Sequence, residues 1–370
     1  MNNDFDYTMS YMKAIGIICV VAGHSYTGSV IEGFVGLFHM PLFFFVSGYL
    51  FNENKYLSPP QHLTFVKRKI SGLYWPTLKW ILFAILIHNL LYSIGVYSSE
   101  YSYADNVPSY YNSHDMIVSI LNAFVLRCNE LIFAGIWFLR FLFIASILCL
   151  FLIRFTKGKS FAFTISFFLL LFCFITSLGV VRVRCGGTIN LIFFSSFFYY
   201  TGYLWKKFYS EKYDLIFTSM PVCCIYFVCL LCGLLFWRTG MINISAYKVL
   251  PFTVTALMGI FLVMSLSKLL SNIGCVSLKR YMNYLGGHTY DILMMHIIGF
   301  KLVTLLIILV CGSSMREIAS FPTFHSFTEK GWFLVYIIIG LNLPLVFKLI
   351  YVKVKNYVVA LFVTNKKRNN

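Results

Sequence analysis

Apolar runs long enough to cross a bilayer recur from one end of this chain to the other. They fall at roughly 12–30, 35–52, 73–96, 133–155, 161–181, 188–205, 215–237, 249–270, 286–311 and 332–353. Each is near the ~20 residues that a helix needs to cross a hydrocarbon core. In lipid the backbone's polar groups have no water to bond, and a helix satisfies them within the segment. The pattern predicts an all-α, polytopic transmembrane bundle of about ten spans, forming one domain over residues 1–370. The composition is of the same kind: 59% of residues are hydrophobic, 12% are charged, and the mean hydropathy is +0.78. Soluble domains carry about 25% charged residues. No internal repeat, low-complexity segment or appended soluble domain interrupts the series.

The formal net charge is +17. Binding of nucleic acid would need those charges gathered on one soluble face. Here they stand in short clusters between apolar runs, such as KRK at 67–69, KK at 206–207 and KKR at 366–368. With the N-terminus in the cytoplasm, the cytoplasmic segments and their flanks hold 19 Lys/Arg and the opposite loops hold seven. That is the positive-inside asymmetry, and it predicts both termini in the cytoplasm and no nucleic-acid partner. The opposite loop over 97–132 is acidic, with Glu100, Asp105, Asp115 and Glu130 against Arg127. It has room for a short surface helix near 115–127.

Most of the 11 cysteines lie inside apolar runs. Cys229 and Cys232 have a redox or zinc spacing but no neighbouring histidine and no βαβ context. They read as small buried hydrophobes, and no metal site is expected. The leader before the first run contains Asp4 and Asp6 against Lys13. That is not the cationic start of a signal peptide, so the first run reads as a retained span.

Ionisable groups at membrane depth are costly unless they are paired or face a wet cavity, which marks them as functional candidates. His24, His39 and His296 qualify first. Lys13 precedes His24 by 11 residues, which brings the two within about 20° on one helix face and about 16 Å apart along the axis. Lys13 then sits at the cytoplasmic mouth, where a cation suits phosphate, and His24 sits past mid-depth, where an imidazole suits proton transfer. A snorkelling lysine and a hydrogen-bonded structural histidine are the plainer readings of the same spacing. His39 is followed by Pro41, which calls for a helix start or a kink there. Ser47-Gly48 allows close approach of another helix or a ligand. His296 lies about 15 Å into its run, with Asp291 about one turn before it. Lys79 and Lys301 are isolated, and Arg140 has the position of a snorkelling residue.

The order K-x-I-x-I-I-x-V-V-x-G-H at 13–24, F-H-M-P-L-F-F-F-x-S-G-Y at 38–49, W-F-L at 137–139 and L-G-x-H-T-x-x-I-L-x-x-H at 285–296 resembles the integral-membrane acyltransferase-3 family. That family includes bacterial O-antigen and fucose O-acetyltransferases, and the resemblance covers nearly the whole chain. It implies that His24 is the essential histidine of a basic-residue-x10-His motif and that Lys13 is the basic residue, serving the acyl-CoA side. Ser47-Gly48-Tyr49 is similar to the family's serine-glycine-aromatic motif, associated with the active channel. His39 and His296 fall on positions commonly histidine in the acetylase branch. One departure stands out. Many members carry a basic-x-x-basic motif before the third span, whereas here the second position falls near Gly72. CoA-phosphate binding by that loop would therefore rest on Lys67, Arg68 and Lys69. Lysine for arginine at position 13 also forgoes bidentate phosphate geometry.

The implied protein is an O-acetyltransferase of the bacterial inner (cytoplasmic) membrane. Acyl-CoA, most simply acetyl-CoA, would dock on the cytoplasmic side as donor substrate, with no permanently bound cofactor. The acceptor would be a sugar hydroxyl of a surface glycan or its lipid-linked precursor, entering near His39 and the 97–132 loop. His24 would act as general base or covalent relay, with Asp291 or His296 orienting it. The alternative is a glycan polymerase or a lipid-linked oligosaccharide flippase. A polymerase would be expected to show a large outer loop with arginines, and loop 97–132 has only Arg127.

Overall fold

The computed structural model describes residues 7–58, 60–100, 108–156, 159–178, 186–242 and 244–368. Among the described residues all regular structure is helical. The helices that matter here are α1 (Tyr7–Ser25), α2 (Val30–Gly36), α3 (His39–Tyr49), α4 (Gln61–Ser93), α5 (Ser113–Ala123), α6 (Ile136–Phe155), α7 (Lys159–Ser177), α8 (Gly186–Leu204), α9 (Met220–Trp237), α10 (Ala246–Asn272), α11 (Val276–Gly287), α12 (Thr289–Cys311) and α13 (Phe333–Arg368).

Seven stretches among the described residues are long and apolar enough to cross a membrane. They are Val30–Tyr49, α4, α6, α9, α10, α12 and His325–Tyr357. The runs expected at 12–30, 161–181 and 188–205 are helical, as α1, α7 and α8, but are not among the seven. In α1 the polar face that lines the site dilutes the apolar character. Of the charges named from sequence, Asp4, Asp6 and Asp105 lie outside the described residues.

The run expected as one span at 35–52 is two helices that meet at Leu37–Phe38. Ser29 caps the first, its hydroxyl accepting from the Glu32 amide at 3.2 Å. The second begins at His39, with Pro41 in its first turn, where a missing N–H leaves no intrahelical bond unmade. The surface helix expected near 115–127 is α5, with a reciprocal capping box between Asn112 and Asp115. Its start is tied to the end of α4, where Asn89 exchanges two hydrogen bonds with the Tyr111 backbone.

Helix α1 is the hub, packed against α3, α10, α11, α12 and α13. Its approach to α11 is close: a Cβ on Gly286 would lie 2.1 Å from the Ser10 carbonyl oxygen. Helices α3 and α8 approach as closely, through Gly48 on one and Gly202 on the other. A Cβ on Gly48 would lie 1.7 Å from the Tyr199 carbonyl oxygen, and one on Gly202 would lie 2.0 Å from that of Phe45. Small residues of this kind let helix backbones touch in a membrane, where dispersion rather than water drives association. Lys301 has a structural role: its buried ammonium donates to the Ile318 and Ser320 carbonyls at 2.9 and 2.8 Å.

Candidate functional site: two chambers and a collar

Four residues of α1, Lys13, Ile17, Val20 and His24, follow one another at spacings of four, three and four. That spacing puts them on one face. This stripe lines two cavities set end to end. The smaller, about 210 Å³, takes Lys13 and Ile17; the larger, about 450 Å³, takes His24 and Gly23. Val20 lines both.

Helix α3 runs the opposite way and repeats the pattern. Ser47 and Phe43 line the smaller cavity, His39 the larger, and Met40 both. In α12, Thr289 and Tyr290 line the smaller cavity and Leu293 lines both. His296, one turn further along α12, lies against His24, with ring centroids 5.4 Å apart. The two chambers therefore meet at a collar of Val20, Met40 and Leu293. By helical rise Val20 is about 10 Å from the level of Lys13 and about 6 Å from that of His24.

The larger chamber is lined by two imidazoles, His24 and His39, and a third, His296, lies behind His24. His39 Nδ1 is 2.6 Å from the Val35 carbonyl oxygen. His296 Nδ1 is 2.9 Å from that of Leu293 and 3.2 Å from that of Ile292. A carbonyl only accepts, so in both rings Nδ1 carries the proton and, in the neutral form, Nε2 keeps a lone pair. His296 is buried, and among the described residues its Nε2 has no hydrogen-bond partner. A buried acceptor left unpaired is costly, and this one belongs to the ring tilted against His24. Trp137 and Gly135, at the start of α6, complete one wall. The rim is charged. Arg238 Nη2 donates to the Gly28 and Ser29 carbonyls at 3.1 and 2.8 Å and lies 3.5 Å from the Glu32 carboxylate.

The smaller chamber is apolar apart from Lys13, Ser47 and the hydroxyls of Thr289 and Tyr290, with Phe138, Leu139 and Leu142 of α6 on one side. Gly72 and Leu73 of α4 close it. There α4 passes through a π-helical turn, Ile70–Tyr74, a local widening common at functional sites. The Lys67-Arg68-Lys69 cluster is the turn just before it. Lys67 and Arg68 are exposed, and Arg68 Nη1 donates to the Tyr56 hydroxyl at 2.9 Å. The Lys69 ammonium sits 5.3 Å from the centre of the Phe65 ring.

The residues named from sequence thus divide. Lys13 and Ser47 are in one chamber, His24 and His39 in the other, and His296 backs His24. The Ser47 hydroxyl donates to the Phe43 carbonyl at 2.8 Å, and Gly48 serves the contact with α8. Tyr49 faces the Lys206 ammonium at 5.4 Å from its ring centre. Asp291 does not join the imidazoles: it accepts from Lys348 of α13 at 2.9 Å. Sequence reasoning missed the collar, because Val20, Met40 and Leu293 look like any apolar residues. It also did not single out Arg238 among the seven Lys/Arg of the opposite loops. Glu32, four residues after Gly28, was the available hint of a charged rim.

The fold and site define a helical membrane protein that holds a lysine and an imidazole cluster in separate chambers on either side of an apolar constriction. The family profile described as an acyltransferase domain matches residues 6–347, and the chain belongs to that acyltransferase-3 family. It is a membrane acyltransferase. No curated protein and no solved structure matches the chain.

Proposed function

We propose that the protein moves an acyl group, acetyl being the simplest case, from cytoplasmic acyl-CoA to a sugar hydroxyl of a surface glycan or its lipid-linked precursor. Its membrane would be the bacterial inner membrane, crossed about ten times with both termini cytoplasmic. The observation that carries this reading is the stripe shared by α1, α3 and α12. It supports one chamber for each substrate, since the two cavities share only a collar of three side chains. Family membership favours acyl transfer over the polymerase or flippase alternative.

On this reading the phosphates of CoA lie against Lys67, Arg68, Lys69 and Lys13, and the thioester end of the donor fills the 210 Å³ apolar chamber. Met40, unbranched and flexible, is the collar residue best suited to yield as the thioester carbonyl reaches the histidines. The acceptor occupies the 450 Å³ chamber, a size usual for small-ligand sites. Its hydroxyl gives its proton to His24 as the oxygen attacks the thioester carbon. The C–O bond forms, the C–S bond breaks, and CoA departs as the thiolate on the Lys13 side. His296 Nε2, an acceptor without a partner among the described residues on a ring 5.4 Å from that of His24, would receive an N–H of His24 once that ring is protonated. His296 is therefore a positioning residue and His24 the general base.

Incubating the purified protein with labelled acetyl-CoA and host surface polysaccharide tests the scheme. The expected result is label on the glycan as an O-acetyl ester, lost in His24→Ala at normal protein levels in the membrane. Transfer by His24→Ala at wild-type rate removes the base, and release of CoA without any labelled glycan removes the sugar acceptor.

A further inference from the structure

A third cavity, about 350 Å³, lies between the end of α4 and α5. Its floor is a closed ion pair. His88 and Glu130 are both buried, with Nδ1 2.9 and 3.1 Å from the two carboxylate oxygens. His88 Nε2 is 2.8 Å from the Ser109 carbonyl oxygen. Both ring nitrogens therefore face acceptors, and a doubly protonated ring satisfies both. Tyr111 stacks flat on His88 at 3.5 Å and donates to Glu130 at 3.2 Å. These groups satisfy one another, so the floor is rigid and has no group left over for chemistry.

The walls differ. Asp115, Ser119, Asn122 and Asn129 line the cavity beside Val118 and Leu131. Among the described residues no hydrogen bond ties down the side-chain amides of Asn122 and Asn129. An amide offers both donor and acceptor, which matches neighbouring hydroxyls on a sugar ring, while Val118 and Leu131 offer contact to its C–H face. Among the described residues no Lys or Arg lines the cavity, so it suits a neutral polyol better than a phosphate or a lipid headgroup.

Its position ties it to the acyl-acceptor chamber. His88 is 16 residues past Gly72, about 24 Å along α4, which puts it at the His24 end of the bundle rather than the Lys13 end. Leu131 lines this cavity and Gly135 lines the 450 Å³ chamber. The 3-10 turn Leu131–Phe133 and the turn after it join them, and four residues of chain span at most about 14 Å, within reach of a short oligosaccharide.

We propose that the cavity between α4 and α5 is a second glycan subsite, so that the acceptor is an oligosaccharide held beyond the sugar that is acylated. This rests on the sugar-acceptor reading above and adds to it the length of acceptor recognised. Asn122 and Asn129 are the specificity-determining residues, and neither touches the reacting atoms.

The test uses the full-length protein in detergent, with acetyl-CoA and host surface polysaccharide cut by mild acid and separated by size. Wild type is expected to acylate fragments of three or more sugars with a KM at least about ten-fold below that for single sugars. Asn122→Ala/Asn129→Ala should lose that preference and keep the single-sugar rate. Asn129→Ser, at an exposed position, is the second variant should the double variant fold poorly, and should lose part of the preference. Saturation-transfer NMR of the same fragments with the His24→Ala protein reads binding without catalysis. Acylation with an unchanged length preference in the variants overturns the subsite and leaves the acceptor reading standing. Fragment binding that depends on Asn122 and Asn129, without acylation by wild type, overturns the acceptor reading and leaves the subsite. Absence of both binding and acylation overturns both, and a signal from lipid alone that the same variants abolish overturns the subsite and leaves the acceptor reading standing.

Discussion

Gly48→Ala is the sharpest probe of what the Ser47-Gly48 pair contributes. The added Cβ would lie 1.7 Å from the Tyr199 carbonyl oxygen, and ordinary contact begins at 3.4 Å. Helix α3 must therefore move about 1.7 Å from α8, and the obstacle is backbone, which has no rotamer to change. Overpacking a tight contact costs about 1–3 kcal/mol, and a backbone obstacle puts this case at about 3 kcal/mol. The same helix carries Ser47 and Phe43 into one chamber, His39 into the other and Met40 into the collar. Displacements near 1 Å cost about 10²-fold in rate where groups are held for reaction. Gly48→Ala should therefore lower the temperature of heat-induced aggregation in detergent and reduce acetyl transfer by about two orders of magnitude. Gly202→Ala should do the same, because its Cβ would meet the Phe45 carbonyl across the same seam. The double variant should fall short of the sum, since one separation relieves both clashes. A Gly48→Ala protein with wild-type stability and rate would refute the account, as would full additivity in the pair.

Lys13→Ala should raise the KM for acetyl-CoA by about ten-fold or more with a smaller change in kcat, and Lys13→Arg should restore most of it; steady-state kinetics at varied donor decide this. His296→Ala should lower kcat without changing donor KM, and His296→Asn, which keeps a polar group there, should recover part of the loss. Leu293→Ala widens the collar, so donor hydrolysis without transfer to glycan should rise; a simultaneous assay of free CoA and acylated glycan detects it. Cys275, exposed between α10 and α11, should react with a membrane-impermeant maleimide only after cells are opened. Cys128, partly exposed and with its thiol pushed up to about 12 by burial, should label more slowly.

The helical class and the histidines were legible in the sequence because both are local. A run of some twenty apolar residues has one stable form in lipid, and an ionisable group inside such a run is conspicuous. The Lys13–His24 spacing likewise reads directly off one helix, and the structure puts both on the lining face of α1. The break at Leu37–Phe38 was half visible, since Pro41 marked a helix start without saying that Val30–Gly36 would form a separate turn of helix.

What decided the site is a coincidence of helices far apart in the chain. Val20, Met40 and Leu293 become a collar only when α1, α3 and α12 are packed side by side, and nothing in their apolar side chains announces it. Asp291 stood a turn from His296 in the sequence, yet its carboxylate goes to Lys348 on α13, because a side chain answers to the nearest charge in space. The same holds for His88, which meets Glu130 42 residues away. Sequence determines which segments are helices and which polar groups they carry into the membrane, because those follow from local chemistry. Only packing determines which of those groups share a cavity, because that depends on where close-contact glycines such as Gly48 and Gly286 let the helices meet.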